Sequence, residues 1–384
     1  MNKRLTVLCM AIVMALALGG TSGAGSKEPY KIGALFAVTG PASFLGEPER
    51  NTLEMVAERI NETGGINGHP LELVIYDTEA NATKTVVSAK KLIKKDKVLA
   101  IVGPSTSGAS MAVVPISNES EIPMIALGAS AKIASPVAER KWVFKVVPGD
   151  DLAVGLMYDY MKKQSIKKIA ILSVSTGYGT SGRQQLQELA AQYDIEIVAD
   201  ETYGPKESDL TAQLTKVRGK GAQAIVNWSI GPPQVVVTRN WKQLGIKIPL
   251  YQSYGFGSKR NIELAGGAAE GVICPVSRIV IANKIPADDP HTPVVKEYKA
   301  LYEKKFGKEV SVFGGHSWDS LYQLAAALEK VGPNRAKIRD YLENLKGFVG
   351  NNGIFNRTPQ DHVGLGKNSY VMVEVKNGDW SILE

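Results

Sequence analysis

Six residues, Gly177-Tyr178-Gly179-Thr180-Ser181-Gly182, spell G-x-G-x-x-G, the spacing with which a strand-to-helix turn brings its backbone against a pyrophosphate. The run follows an apolar strand and opens an amphipathic helix, and Asp200 lies about twenty residues on, where a dinucleotide site keeps its ribose-binding acid. Its first glycine, however, comes two residues later than a tight turn wants. A second run, Gly103-Pro104-Ser105-Thr106-Ser107-Gly108, is neither a nucleophile elbow, which needs G-x-S-x-G, nor a phosphate loop, which needs a closing Gly-Lys-Ser/Thr. It instead sets a row of hydroxyls on a glycine-rich turn between a strand and a helix, and hydroxyls with backbone N–H groups at a helix N-terminus hold a carboxylate without any lysine or arginine. Simple N-capping is the plainer use of any one of these hydroxyls. A third run, Ala126-Leu127-Gly128-Ala129-Ser130-Ala131, follows the next strand, and two adjacent strands ending in small and hydroxylated residues support a small anion pocket more strongly than either loop alone. The four histidines, His69, His291, His316 and His362, show no H-E-x-x-H and no paired-cysteine spacing, so neither a metal nor any other cofactor is expected.

These loops need a scaffold, and the pattern supplies one. Short apolar runs at 31–38, 71–76, 98–102 and 123–126 alternate with helical stripes such as Leu53, Val56, Ala57 and Ile60, which predicts a mostly parallel sheet covered on both faces. After Val146-Val147-Pro148-Gly149 the series repeats, with strands at 168–174, 196–200, 224–227, 249–251 and 271–275. The fold class is therefore α/β, with two doubly wound lobes facing each other across a cleft. Helices near 294–306 and 316–331 have no second-lobe strands of their own and are expected back on the first lobe.

Composition bounds the function. Of 384 residues, 44% are hydrophobic, 22% charged and only 7% aromatic, which is globular material rather than disordered chain. Lys3 and Arg4, the uncharged apolar stretch 5–18 and the small residues Gly19-Gly20-Thr21-Ser22-Gly23-Ala24 read as a signal peptide over 1–24. Fourteen apolar residues are too few to span hydrocarbon comfortably. Such a leader sends the chain to a compartment without a nicotinamide pool, and it lacks the twin arginine of exported cofactor enzymes. Its removal lowers the formal charge from +7 to +5, because Lys3 and Arg4 leave with it. The lysine clusters carry no interleaved aromatics, so no nucleic-acid partner is expected. Cys9 leaves with the leader and Cys274 remains alone, which excludes an intramolecular disulfide.

The mature chain resembles the periplasmic solute-binding proteins of ABC importers, in the leucine, isoleucine and valine-binding subfamily, over essentially all of 28–384. The likeness rests on Lys31-Ile32-Gly33 with Thr39-Gly40-Pro41, on Gly65-Ile66-Asn67-Gly68, Val102-Gly103-Pro104 and Tyr178-Gly179, and on Trp318-Asp319, Gly347-Phe348 and Gly353-Ile354-Phe355. It implies a type I periplasmic binding fold with a three-strand hinge, in which 28–146 plus about 277–352 form lobe 1 and 147–276 plus about 353–384 form lobe 2. It also implies a non-enzymatic, monomeric receptor in the periplasm, with a small organic acid or amino acid as ligand and an ABC permease in the inner membrane as partner. A secreted sensor of the same fold and a nicotinamide-dependent oxidoreductase are the rival functions.

By the same resemblance, the ligand's carboxylate falls to Ser107, Gly128 and Ser130, and Tyr178 closes over it from the second lobe. Leu45 or its neighbour Phe44 presents a side chain to the ligand body. One position departs from the pattern. Tyr254 stands where amino-acid binders of this family keep an acidic partner for the ammonium, and a buried ammonium without a carboxylate costs several kcal/mol. The expectation is a ligand with an acid group and an uncharged aromatic or branched body, unless another carboxylate such as Glu47 or Asp151 replaces the missing one.

Overall fold

The computed structural model describes residues 27–383; the expected signal peptide at 1–24 lies outside the described residues. Five strands make the first sheet: β1 (Tyr30–Phe36), β2 (Leu71–Asp77), β3 (Ala100–Val102), β4 (Met124–Ala126) and β5 (Val143–Lys145). They run parallel in the order β2-β1-β3-β4-β5. The crossover helices are α1 (Ser43–Glu62), α2 (Ala82–Lys91) and α3 (Ser107–Glu119). The inner strands β3 (Ala-Ile-Val) and β4 (Met-Ile-Ala) are wholly buried, and so is β1 except at Lys31, as a parallel sheet covered on both faces requires. Caps set the helix starts: Asn81 accepts the Lys84 N–H at 2.9 Å and Thr106 accepts the Ala109 N–H at 3.3 Å.

The second round begins with α4 (Asp150–Lys163) and continues through β6 (Lys168–Val174), α5 (Gly177–Ala190), β7 (Glu196–Tyr203), α6 (Thr211–Arg218), β8 (Ala224–Trp228), α7 (Pro232–Gln243), β9 (Leu250–Gln252), α8 (Lys259–Ala265) and β10 (Ile273–Val276). Then α9 (Thr292–Phe306), α10 (Val312–Val331) and α11 (Arg335–Glu343) precede a short antiparallel pair, β11 (Phe348–Val349) and β12 (Ile354–Phe355). Helix α10 packs along α1, and Tyr298 of α9 joins Thr52 of α1 through a 3.0 Å hydroxyl contact. These helices therefore cover the first sheet.

The end of the chain differs from expectation in two ways. The second sheet is mixed: β13 (Val371–Lys376) and β14 (Asp379–Ile382) add antiparallel strands to the edge at β10, giving the order β14-β13-β10-β9-β8-β6-β7. The segment after 353 also stays on the first lobe for another ten or so residues. The Arg357 N–H donates to Leu345 at 2.9 Å, the Lys145 N–H donates to the His362 carbonyl at 3.3 Å, and His362 Nδ1 lies 3.0 Å from the Val143 carbonyl. Only beyond Gly364 does the chain run to β13, and Tyr370 then donates to the Pro148 carbonyl at 3.2 Å, beside the first crossing. The cause is β5, a short strand not foreseen, whose outer edge offers backbone groups that the 357–362 segment satisfies.

Candidate functional site

The carboxyl ends of β3 and β4 bring two of the expected loops together. Ser107 opens α3, and its Oγ accepts the N–H groups of Ala129 and Ser130, each at 3.2 Å. A hydroxyl that accepts from two amides keeps its own proton to donate. Gly128 has to be small: a Cβ there would stand 2.9 Å from Ser107 Cα. Beneath the loop lies a fully buried cation, Lys145 at the end of β5, whose Nζ donates to the carbonyls of Ala129 at 2.7 Å and Ser130 at 2.9 Å. Burial pulls its ammonium down to about 8, and nearby Asp150 opposes the fall.

The second lobe meets this loop with another helix start. Thr176 caps α5, accepting the Gly179 N–H at 3.3 Å, and Ser181 Oγ lies 2.6 Å from Ser130 Oγ. Gly177 abuts Gly108 so closely that a Cβ on it would fall 3.0 Å from the Gly108 backbone. The N-termini of α3 and α5 thus meet in one small region, where their dipoles favour an anion. Packing accounts for the rest of the G-x-G-x-x-G run. A Cβ at Gly179 would reach 1.8 Å from the Val174 carbonyl, and one at Gly182 would reach 2.0 Å from Trp228 Nε1. These glycines seat α5 on β6 and β8.

Aromatic rings line the second-lobe side. Tyr178 stands edge-on to Tyr254 at 5.6 Å between centroids, Trp228 lies 5.9 Å from Tyr178 and 6.1 Å from Tyr254, and Tyr370 lies 5.2 Å from Tyr254. The hydroxyls of Tyr178 and Tyr254 and the Trp228 indole N–H are buried without a partner. Burial raises both phenols well above their ordinary range. From the first lobe, Phe44 sits in the opening turn of α1, edge-on to Phe313 at 5.9 Å, and its ring reaches within 2.8 Å of where Gly231 would carry a Cβ. Leu45 is buried in a small cluster with Ala37 and Ala42, against which Phe44, Phe313 and the second-lobe residue Ile230 also pack, while Phe44 is the neighbour whose ring reaches Gly231.

The structure thus gathers Ser107, Gly128 and Ser130 with Tyr178 and Tyr254 around the cleft, sets Phe44 at its rim and buries Leu45 in the small cluster behind it. Of the two substitute carboxylates, Glu47 points outward to Lys308 at 2.6 Å, with both side chains well exposed, and Asp151 is only partly buried. The acid that does enter is Asp150, which has no exposure; its Oδ1 accepts the Ala131 N–H at 2.9 Å and its Oδ2 has no partner. Burial raises its carboxyl, while Lys145 and then Ser181 oppose the rise. Asp150, Ser181, Trp228, Tyr370 and Lys145 were not singled out from the sequence. Trp228 ends a strand that points at the cleft, which is a readable signal; Asp150 and Lys145 sit on either side of the first crossing and carry no motif. A groove of about 530 Å³ between α1, α9 and α10, lined by residues such as Arg59, Trp318 and Tyr322, shares no residue with this site. The histidines are dispersed, with His69, His291 and His362 each bonded to a local partner.

Two doubly wound lobes with apposed helix N-termini and a buried hydroxyl pair between them define a type I periplasmic binding architecture. The family model for periplasmic binding proteins matches residues 29–379, and the chain belongs to that family. A leucine-, isoleucine-, valine-, threonine- and alanine-binding protein of Pseudomonas aeruginosa is 24% identical over the whole of this chain and 96% of that protein. An amino acid binding protein of the same organism is 26% identical over 86% of this chain and 87% of its own length. Among solved structures, an extracellular ligand-binding receptor from Rhodopseudomonas palustris HaA2 superposes with a TM-score of 0.86, at 28% identity, over 93% of this chain and all of that one.

Proposed function

We propose that this protein is the exported, non-enzymatic receptor of an ABC importer of the branched-chain and hydrophobic amino acid type, capturing a small carboxylate-bearing ligand between its lobes and presenting it to a membrane permease. The observation that carries this reading is the meeting of α3 and α5 at Ser107, Ser130 and Ser181, where hydroxyls and helix N-termini from both lobes converge on one desolvated point. Ligand carboxylate binds there and the ligand body lies against Tyr178, Trp228 and Tyr254, with Phe44 closing the rim. Asp150, with a free buried Oδ2, supplies the ammonium partner that the Tyr254 position lacks. The names of the Pseudomonas aeruginosa relatives agree with an amino acid ligand.

A second reading is favoured by Tyr254 itself. A phenol beside a carboxyl whose ionisation burial opposes suits an organic acid with an uncharged aromatic or branched body. A matched thermal-shift panel tests both: leucine, valine and phenylalanine against their des-amino acids and benzoate-like acids. Stabilisation by the amino acids alone supports the first reading, and stabilisation by the des-amino acids alone supports the second. Stabilisation by neither set, with no small carboxylate found by mass spectrometry of the purified protein, would overturn both.

A further inference from the structure

Every group assigned above to the ligand's carboxylate is formally neutral, yet a full positive charge is buried directly behind them. Lys145 has no exposed surface, and its Nζ spends itself on the two carbonyls of the loop that carries Ser130. The geometry of those bonds matters. The Ala129 carbonyl belongs to the same peptide group as the Ser130 N–H, which donates to Ser107 Oγ. The Ser130 carbonyl belongs to the same peptide group as the Ala131 N–H, which donates to Asp150. A cation on the oxygen end of a peptide group strengthens the donor at its nitrogen end, and hydrogen bonds in series polarise one another.

We propose that Lys145 is the positioning residue that supplies the positive charge of the carboxylate site, acting through the peptide groups 129–130 and 130–131 and through Ser107 Oγ rather than by touching the ligand. The proposal rests on the carboxylate reading of the site. The chain of donors runs from Lys145 Nζ to the Ala129 carbonyl, from the Ser130 N–H to Ser107 Oγ, and from the Ser107 hydroxyl to the ligand. A neutral site would pay the full desolvation cost of a buried carboxylate; a buried ammonium one peptide away offsets part of it while leaving the ligand free to exchange.

The surroundings of Lys145 fit a charge held in reserve. Asp150 and Asp151 of α4 and Asp361 of the 357–362 segment favour its ammonium. His316 of α10 feels it as a like charge, and Arg357 donates through Nη2 to the Lys145 carbonyl at 2.9 Å. Asp319 of α10 is occupied with the backbone of Asn351 and Asn352, at 2.7 and 3.0 Å, and His362 with Val143 and Glu343. Burial outweighs the three carboxylates and leaves the ammonium easier to deprotonate than usual. An anion arriving at Ser107 shifts that balance back, so binding should draw a proton onto Lys145 in mildly alkaline solution.

The test is titration calorimetry on the full mature protein with L-leucine, L-phenylalanine and their des-amino acids as probes, in buffers of different ionisation enthalpy at about pH 8.5, where a lysine of this kind is part-deprotonated. Wild type should take up protons on binding, and Lys145→Arg, which stays charged, should bind with near wild-type affinity and take up none. Lys145→Met should lose roughly tenfold or more in affinity for the acids and lose their preference over the corresponding amides. Ser107→Ala separates the two levels of inference. If Ser107→Ala weakens binding while Lys145→Met binds like wild type and wild type takes up no proton, Lys145 plays no such part and the carboxylate site stands. If neither variant weakens binding, the carboxylate reading fails and this proposal fails with it. Should Lys145→Met not fold, the buffer dependence of wild type and Lys145→Arg decides alone: equal proton uptake in both, or none in either, overturns the proposal.

Discussion

Ser130 Oγ and Ser181 Oγ stand 2.6 Å apart, one on the loop after β4 and the other in the second turn of α5, so a buried hydrogen bond ties the first lobe to the second at this point. With Ser107 holding the same loop through two N–H groups, three hydroxyls converge where the two helix dipoles do. A hydrogen bond to a charged group is worth about 1.5–3 kcal/mol. Ser107→Ala and Ser130→Ala should therefore each weaken binding of a carboxylate ligand by roughly ten- to a hundredfold, read by titration calorimetry. Wild-type affinity in the double variant would remove the carboxylate from this place.

The contact between Gly108 and Gly177 gives a test of closure that leaves the ligand groups intact. A Cβ at Gly177 already approaches the facing backbone to 3.0 Å, so a branched side chain there has nowhere to go when the lobes meet. Gly177→Val is expected to hold the lobes apart. Small-angle scattering should show wild type contracting on addition of ligand and the variant keeping its larger radius of gyration. Contraction of the variant to the wild-type radius would mean that the two helix starts do not meet on closure.

Much of this arrangement was legible in the sequence, because it depends on local rules. Helical stripes and glycine-rich strand ends located β1 to β4, β6 to β10 and the hydroxyl loops to within a few residues. The remainder depends on contacts between distant segments. Strand β5 is three residues long and is recognisable only by what pairs with it, and β13 and β14 join the sheet antiparallel at an edge that no periodicity marks. Asp150 and Asp151 are neighbours with the same chemistry. Only the way α4 enters decides that Asp150 is the buried one. Phe44 and Leu45 were likewise indistinguishable until the first turn of α1 brought the Phe44 ring to Gly231 and buried Leu45 beside Ala37 and Ala42. Lys145 read as one more lysine, since burial cannot be seen in a strand that is itself unseen.

Glu49 of α1 supplies a pH dependence of stability whose sign can be fixed. Its carboxyl is buried beside the 103–108 loop and takes a hydrogen bond from Ser105, whose Oγ accepts the Ala37 N–H at 3.0 Å. Burial raises Glu49 to about 8 against an ordinary 4.5, and the Ser105 bond opposes only part of that rise. A folded-state pKa above the unfolded one contributes stability that is whole below the unfolded value and is lost as pH rises through the folded value. Stability should therefore fall between about pH 4.5 and 8 on account of Glu49, by at most about 1.4 kcal/mol per pH unit. Asp319, raised to about 7 by burial, acts in the same sense; His316, lowered to about 3 by burial, acts in the opposite sense up to about pH 6.5. Glu49→Gln isolates the single contribution. In urea unfolding its stability relative to wild type should rise steadily across that window, and a constant difference would contradict a neutral Glu49.

In the proposed site, Asp150 is the residue that would distinguish an amino acid from a non-amino acid ligand. Its Oδ2 is buried and unpartnered, and its charge is felt by the phenols of Tyr178, Tyr254 and Tyr370; a ligand ammonium would relieve that unfavourable state. Removing one member of a buried charge pair costs about 3–5 kcal/mol. If the ligand is an amino acid, Asp150→Asn should weaken leucine or phenylalanine binding by a hundredfold or more. The same change should spare the des-amino acids or improve them, because it removes a carboxyl near their own. Tyr254→Phe serves as the control on the other wall: it keeps the ring and removes an unpartnered hydroxyl, so it should leave amino acid affinity within a few-fold of wild type. The opposite pattern, with Asp150→Asn silent and Tyr254→Phe weakening binding of an aromatic or branched acid, would show that the phenol and not the carboxylate reads the ligand, and would make the protein a receptor for non-amino organic acids.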